Sequence, residues 1–203
     1  MSKNTQKTLQ TAKSFDAVYD GNAKVLMMGT IPSAGGVKYG FFYMSKVNYF
    51  WQYLTQTLKT DNFVELANAY REAYNTSKAE ECKQNVKNAL YKNHIALYDV
   101  INTCERVGSA DNEIVSSTNN SAQSIFQIIK DNPSIKMIFV NSYEVEKRLK
   151  QILGEDGIKQ LQQMMGIETL PYTRILSPSP FCRFTYTEEQ ILDNWKIIKT
   201  YLD

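Results

Sequence analysis

The sequence predicts one α/β domain built on a four-stranded parallel sheet, and three observations lead there. Four short apolar runs, at residues 24–28, 95–101, 136–140 and 173–176, are separated by segments of helical periodicity. Each run ends in Gly, Pro, Asn or Ser, the residues that turn a chain. A length of 203 residues suits a single domain, residues 1–203, that can bury most of its apolar surface. Strands alternating with helices favour parallel pairing, right-handed crossovers and helices on both faces.

Taken in order, residues 1–22 are polar and read as an N-terminal arm, with no apolar stretch resembling a signal peptide or membrane span. A cytoplasmic protein without a membrane partner is expected. The first strand, KVLMM, closes at Gly29, and Gly29-Thr30-Ile31-Pro32-Ser33 turns away from it into a flexible loop at Ala34-Gly35-Gly36. From Lys46 onward Val47, Phe50, Trp51, Leu54 and Leu58 fall at helical spacing. Residues 61–92 read as an inserted pair of helices broken at Thr76-Ser77. Residues 95–101 (IALYDVI) form the second strand, and residues 103–120 a polar loop. Ser121 caps a helix with Ile125, Ile128 and Ile129 inward, stopped by Asp131-Asn132-Pro133. After the third strand, Ser142 caps a helix that buries Val145, Leu149 and Ile152 up to Gly154, and a polar helix follows over residues 155–165. Beyond the fourth strand, Thr187 with Gln190 three residues on is a capping box for a last helix burying Ile191, Leu192, Trp195 and Ile198.

Several chemistries are excluded. The single histidine, His94, precedes the second strand, at the edge opposite the expected site, which removes Ser-His-Asp and Cys-His catalysis. Neither GxxxxGK[ST] nor GxGxxG occurs, so no nucleotide cofactor is expected. Cys82, Cys104 and Cys182 lie outside any CxxC pattern, and the carboxylates fall mostly on helix surfaces, so no metal is expected either. A net charge of +2 leaves a polyanionic partner open. What remains is chemistry performed by positioned amides, dipoles and water.

In a parallel α/β sheet ligands bind at the carboxyl ends of the strands. That edge gathers Gly29, Thr30, Ile31, Pro32 and Ser33 from the first exit, Asp99 from the second, Asn141 from the third, and Ser177, Pro178, Ser179 and Pro180 from the fourth. Phe50 and Trp51 belong to the apolar stripe of their helix. Tyr43 and Asn48 precede it or stand at its start, where a ring could stack on a planar base and an amide could orient water or bond a base edge.

With these residues the sequence resembles the uracil-DNA glycosylase superfamily, and most closely its hypoxanthine-DNA glycosylase branch. That branch has an apolar strand entering a G-S-x-P-G turn, then a Y-Y-A-H-P-x-N-x-F-W segment; the counterparts here run from Gly29 to Ser33 and from Phe42 through Ser45-Lys46-Val47 to Trp51. Its strand-two segment G-I-A-L-W-D-V and its C-x-R-x-G-S-x-D-x-x-I loop are matched from His94 to Val100 and from Cys104 to Ile114, and its P-S-x-S-P loop by Ser177-Pro178-Ser179-Pro180. The resemblance implies a three-layer α/β/α sandwich, a monomer, that extrudes a deaminated base from DNA and hydrolyses its N-glycosidic bond without cofactor or metal. It assigns Asn48 and Asp99 to catalysis, Tyr43 to stacking on the base, the turn at residues 29–33 and Asn141 to holding it, and residues 177–180 with Lys46 to the DNA. Asp99 orders the site or caps a loop, and Arg106 binds phosphate or pairs within its loop. A non-catalytic, damage-sensing DNA-binding protein of the same fold is the alternative. If DNA is the partner, Lys38, Lys46, Arg106, Arg174 and Arg183 should line the edge that holds Tyr43 and Asn48.

Overall fold

The structure, a computed structural model, describes residues 8–202. In chain order it contains β1 (Gln10–Lys13), β2 (Val25–Gly29), α1 (Ala34–Tyr39), α2 (Phe50–Leu58), α3 (Phe63–Ala73), α4 (Ala79–Lys92), β3 (Ile95–Asp99) and β4 (Ile101–Arg106). There follow β5 (Ile114–Asn119), α5 (Ala122–Asp131), β6 (Met137–Val140), α6 (Tyr143–Met165), β7 (Tyr172–Arg174) and α7 (Glu188–Trp195). The four expected strands are β2, β3, β6 and β7, paired in parallel in the order β3-β2-β6-β7.

Successive strand residues point to opposite faces, and here both faces are covered. Val25, Met27, Ile95, Leu97, Met137 and Phe139 join a core completed by α2, α3, α4 and α7. Leu26, Met28, Ala96, Tyr98, Ile138 and Val140 join a second core under α5 and α6. Burial on both sides is why these strands read as unbroken apolar runs rather than as alternation. The result is a three-layer α/β/α sandwich.

Residues 103–120 are not a loop. With β1 they form a second, antiparallel sheet in the order β1-β4-β5, which places part of the expected N-terminal arm in regular structure; residues 1–7 of that arm lie outside the described residues. Five of the six residues of β5 are exposed, so no apolar pattern announces that strand. The run 95–101 spans two sheets: the chain leaves the parallel sheet after Asp99 and enters the antiparallel one at Ile101. Asp99 therefore stands at the corner between them.

The segment expected to be flexible, Ala34-Gly35-Gly36, opens a short helix. The Ser33 hydroxyl accepts from the Gly36 amide at 3.2 Å, and Gly40, at φ 68°, ends the turn. Gly35 has no room for a side chain, because a Cβ there would lie 2.7 Å from Ser45 Cα. Helix α2 starts at Phe50 rather than near Lys46, and Val47 stays 64% exposed outside it. The Asn48 Oδ1 accepts from the Phe50 amide at 2.9 Å, while the Tyr49 amide donates to Pro178 O at 2.9 Å, so the preceding residues are held off the helical path. The caps at Ser121, Ser142 and Thr187 are present as expected. At Gly154 α6 is interrupted by a φ of 58°.

Candidate active site

At the carboxyl edge of the parallel sheet lies a cavity of about 610 Å³, within the roughly 300–1,000 Å³ usual for small-ligand sites. Gly29, Thr30, Ile31, Pro32 and Ser33 line it from the end of β2, Asp99 from β3, Asn141 from β6, and Ser177, Pro178, Ser179 and Pro180 from the segment after β7. Tyr43 and Asn48 line it from the segment before α2. Parallel register brings the strand ends together, since Gly29 pairs with Asp99 and the Asn141 amide donates to Met28 O at 3.2 Å.

Each side chain has a local reason for its place. Tyr43 adopts a left-handed backbone, φ 52°, which costs a non-glycine residue energy and marks a constrained site. Its carbonyl accepts from Trp51 Nε1 at 3.1 Å, and its ring stacks on Phe50 at 3.8 Å and 7°. One ring face is thus taken, and only the other is left for a ligand. The Tyr43 hydroxyl accepts from Asn141 Nδ2 at 2.8 Å, which leaves its proton to be donated elsewhere. With Asn48 Oδ1 held by the Phe50 amide, Asn48 Nδ2 is the group it offers to the cavity. The Ser33 hydroxyl is spent on the cap of α1.

Gly29 marks the tightest point. A Cβ at this position would meet Asp99 Oδ1 at 2.6 Å and the Tyr43 hydroxyl at 2.7 Å. Gly29→Ala is expected to cost about 1–3 kcal/mol by forcing both groups aside, measured by urea unfolding; unchanged stability would mean that they yield freely.

Sequence reasoning missed Asp111, although it quoted the segment that carries it. The turn between β4 and β5 folds over the cavity, the Thr30 hydroxyl donates to Asp111 Oδ2 at 2.8 Å, and the Ala34 amide donates to the Ser109 hydroxyl at 3.2 Å. Two carboxyl groups therefore share one site. Burial first, and the Asp111 carboxylate second, push the Asp99 carboxyl up from 3.8 to about 7, against a weaker pull from the Ser14 hydroxyl. Burial also raises Asp111, opposed by the Thr30 bond and by Arg148 and Arg106, with Glu144 acting upward. Burial followed by Asp99 and Asp111 holds the Tyr43 phenol protonated, well above its ordinary range.

None of the five cations expected along this edge lines the cavity. Arg106 is 2% exposed because the register of β4 turns it inward beside Cys104, so it cannot reach a phosphate from the surface. Arg174 pairs with Glu146 at 3.4 Å. Arg183 lies 3.6 Å from the Tyr49 ring centroid, donates to the Tyr53 hydroxyl at 3.1 Å and pairs with Glu188 at 3.1 Å. Lys46 is exposed between Ser45 and Val47, two residues of the cavity wall, without lining the cavity itself, and Lys38 is exposed on α1. His94 sits at the opposite edge, its Nδ1 3.0 Å from Asn22 O. What the rim does present is aromatic: Phe181, 65% exposed, and Phe184, 85% exposed, stand on the turn Pro180–Phe184 with ring centroids 6.1 Å apart.

Sheet order and layers make an α/β/α sandwich whose fold is shared with a solved structure. The solved structure that carries this comparison is a solution NMR structure of a candidate uracil DNA glycosylase from Methanosarcina acetivorans, similar with a TM-score of 0.66 and 21% identity over 95% of this chain and 99% of that one. No protein-family model and no curated protein matches the sequence.

Proposed function

We propose that the protein is a DNA glycosylase that extrudes a deaminated base, hypoxanthine, uracil or a relative, into this cavity and hydrolyses its N-glycosidic bond. The observation that carries the reading is the convergence on one cavity of the three separate segments whose motifs resemble those of hypoxanthine-DNA glycosylases: residues 29–33, 42–48 and 177–180. Extrusion costs a few kcal/mol of unstacking, least for a mispaired base. The free face of Tyr43 would receive the base, and Asn48 Nδ2 would donate to it or to the attacking water. Phe181 and Phe184 would fill or flank the gap that the base leaves.

The test is incubation with oligonucleotides containing hypoxanthine, uracil or xanthine, followed by alkali to cut abasic sites. Release of at least one base supports the reading. Binding without release from any of them favours the non-catalytic alternative.

Because the rim is aromatic and few of its cations are free, DNA affinity should depend weakly on salt. A slope of log K against log salt of about −2 is expected, as for two neutralised phosphates. Phe184→Ala should weaken binding by roughly 1–3 kcal/mol, the worth of one stacked base, in fluorescence anisotropy. A steep slope with an unaffected alanine variant would place the DNA elsewhere.

A further inference from the structure

We propose that Asp99 is the general acid of the reaction, delivering a proton to the departing base. This rests on the glycosylase reading above and goes beyond it to the leaving group.

The cavity wall contains two carboxyl groups and, among the described residues, no Lys, Arg or His. A base leaving as an anion would enter a site with nothing positive to receive it. Opposite an ionised carboxylate at about 4 Å it would be repelled by roughly 4 kcal/mol at an effective dielectric of about 20. A neutral leaving group removes that conflict, and it needs a proton donor. Asp99 fits the requirement by position: it is 3% exposed, it lines the cavity, and its Oδ2 is buried without a hydrogen-bond partner. Such an orphan is rare in a folded protein and calls for an occupant.

The charged and titratable groups around Asp99 favour its protonated form. Asp111 faces it from the turn after β4, the protonated Tyr43 hydroxyl from the segment before α2, and the neutral Ser14 from the segment after β1. Arg106 on β4 and Arg148 on α6 act on Asp111, as does Glu144 of α6. With its midpoint at about 7, Asp99 holds a proton in a large share of molecules at neutral pH.

In the step itself the bond from C1′ to the base nitrogen breaks and its electron pair goes to the base. The Asp99 proton passes to a ring nitrogen of the base, water adds to C1′, and the proton that water loses restores the carboxyl group. The products are a neutral base and an abasic sugar. A purine offers a basic ring nitrogen that can take the proton before the bond breaks. Uracil offers only weakly basic carbonyl oxygens and gains less.

The experiment measures single-turnover release from hypoxanthine-, uracil- and xanthine-containing oligonucleotides between pH 5 and pH 9, for the unaltered protein, Asp99→Asn and Asp111→Asn. Melting temperature and oligonucleotide binding are recorded to exclude unfolded variants. Hypoxanthine release should fall about tenfold per pH unit above the Asp99 midpoint. Asp111→Asn should shift that limb down by about one unit, by removing a like charge. Asp99→Asn should flatten the profile and slow release by roughly 10²–10⁴-fold. Release that is independent of pH, or a folded Asp99→Asn variant that keeps the limb, overturns the proposal and leaves the glycosylase reading standing. No release of hypoxanthine, uracil or xanthine by the unaltered protein at any pH overturns both.

Discussion

Replacing Asn48 by alanine is expected to slow single-turnover base release by roughly 10²–10³-fold, the usual consequence of deleting one positioned donor from a reaction site. The side chain also has a structural duty, because its Oδ1 accepts from the Phe50 amide at the start of α2. Losing that bond should cost about 1 kcal/mol, as loss of a helix cap does. Alanine alone would therefore mix two effects. Asn48→Asp separates them: a carboxylate still accepts from the Phe50 amide and suits a helix N-terminus, but it has no proton to offer the cavity at neutral pH. The aspartate variant should keep the melting temperature and lose the activity. If it releases base as fast as the unaltered protein, the assigned role of Nδ2 is wrong.

The second large effect concerns stability rather than rate. Asp99 titrates at about 7 in the folded protein against 3.8 ordinarily. Between those values the native state holds a proton that the unfolded chain has released, so its stability falls as pH rises through that window and levels off above about 7. The stabilising share is complete only below the unfolded value. An asparagine in place of Asp99 carries no ionisable group, so Asp99→Asn should be more stable than the unaltered protein at pH 8, by roughly 2–4 kcal/mol. Near pH 4 the two should be equally stable. Chemical denaturation at the two pH values checks this, and an Asp99→Asn variant less stable at pH 8 would show that the carboxylate is satisfied by its surroundings. A residue whose removal stabilises the fold is a mark of function, since a buried acid with one oxygen left without a partner costs stability.

The elements that sequence reading recovered are those written in neighbouring residues. The runs that became β2, β3 and β6 are apolar because both faces of the sheet are covered, and the capping box at Thr187 and Gln190 sits within one helical turn. The antiparallel sheet was illegible because β5 faces solvent and β4 buries only Ile101, Cys104 and Arg106, so neither strand carries an apolar run. Arg106 was misjudged for the same reason. In a supposed loop it would be a free cation, whereas the register of β4 turns it inward. The start of α2 was placed too early because apolar spacing records which residues are compatible with a helix and not where a distant carbonyl, Pro178 O, captures an amide.

By itself the sequence determined the layer order, the helix caps at Ser121, Ser142 and Thr187, and the strand ends at which a ligand can bind, because periodicity and turn chemistry act over a few residues. The tertiary structure decided which strand ends meet and what they do to one another. Gly29, Asp99 and Asn141 became neighbours through parallel register, and Asp111 reached Thr30 by a turn that no local pattern announces. The raised Asp99 carboxyl follows from that meeting, since burial and a second acid beside it are properties of the assembled site and of no single segment.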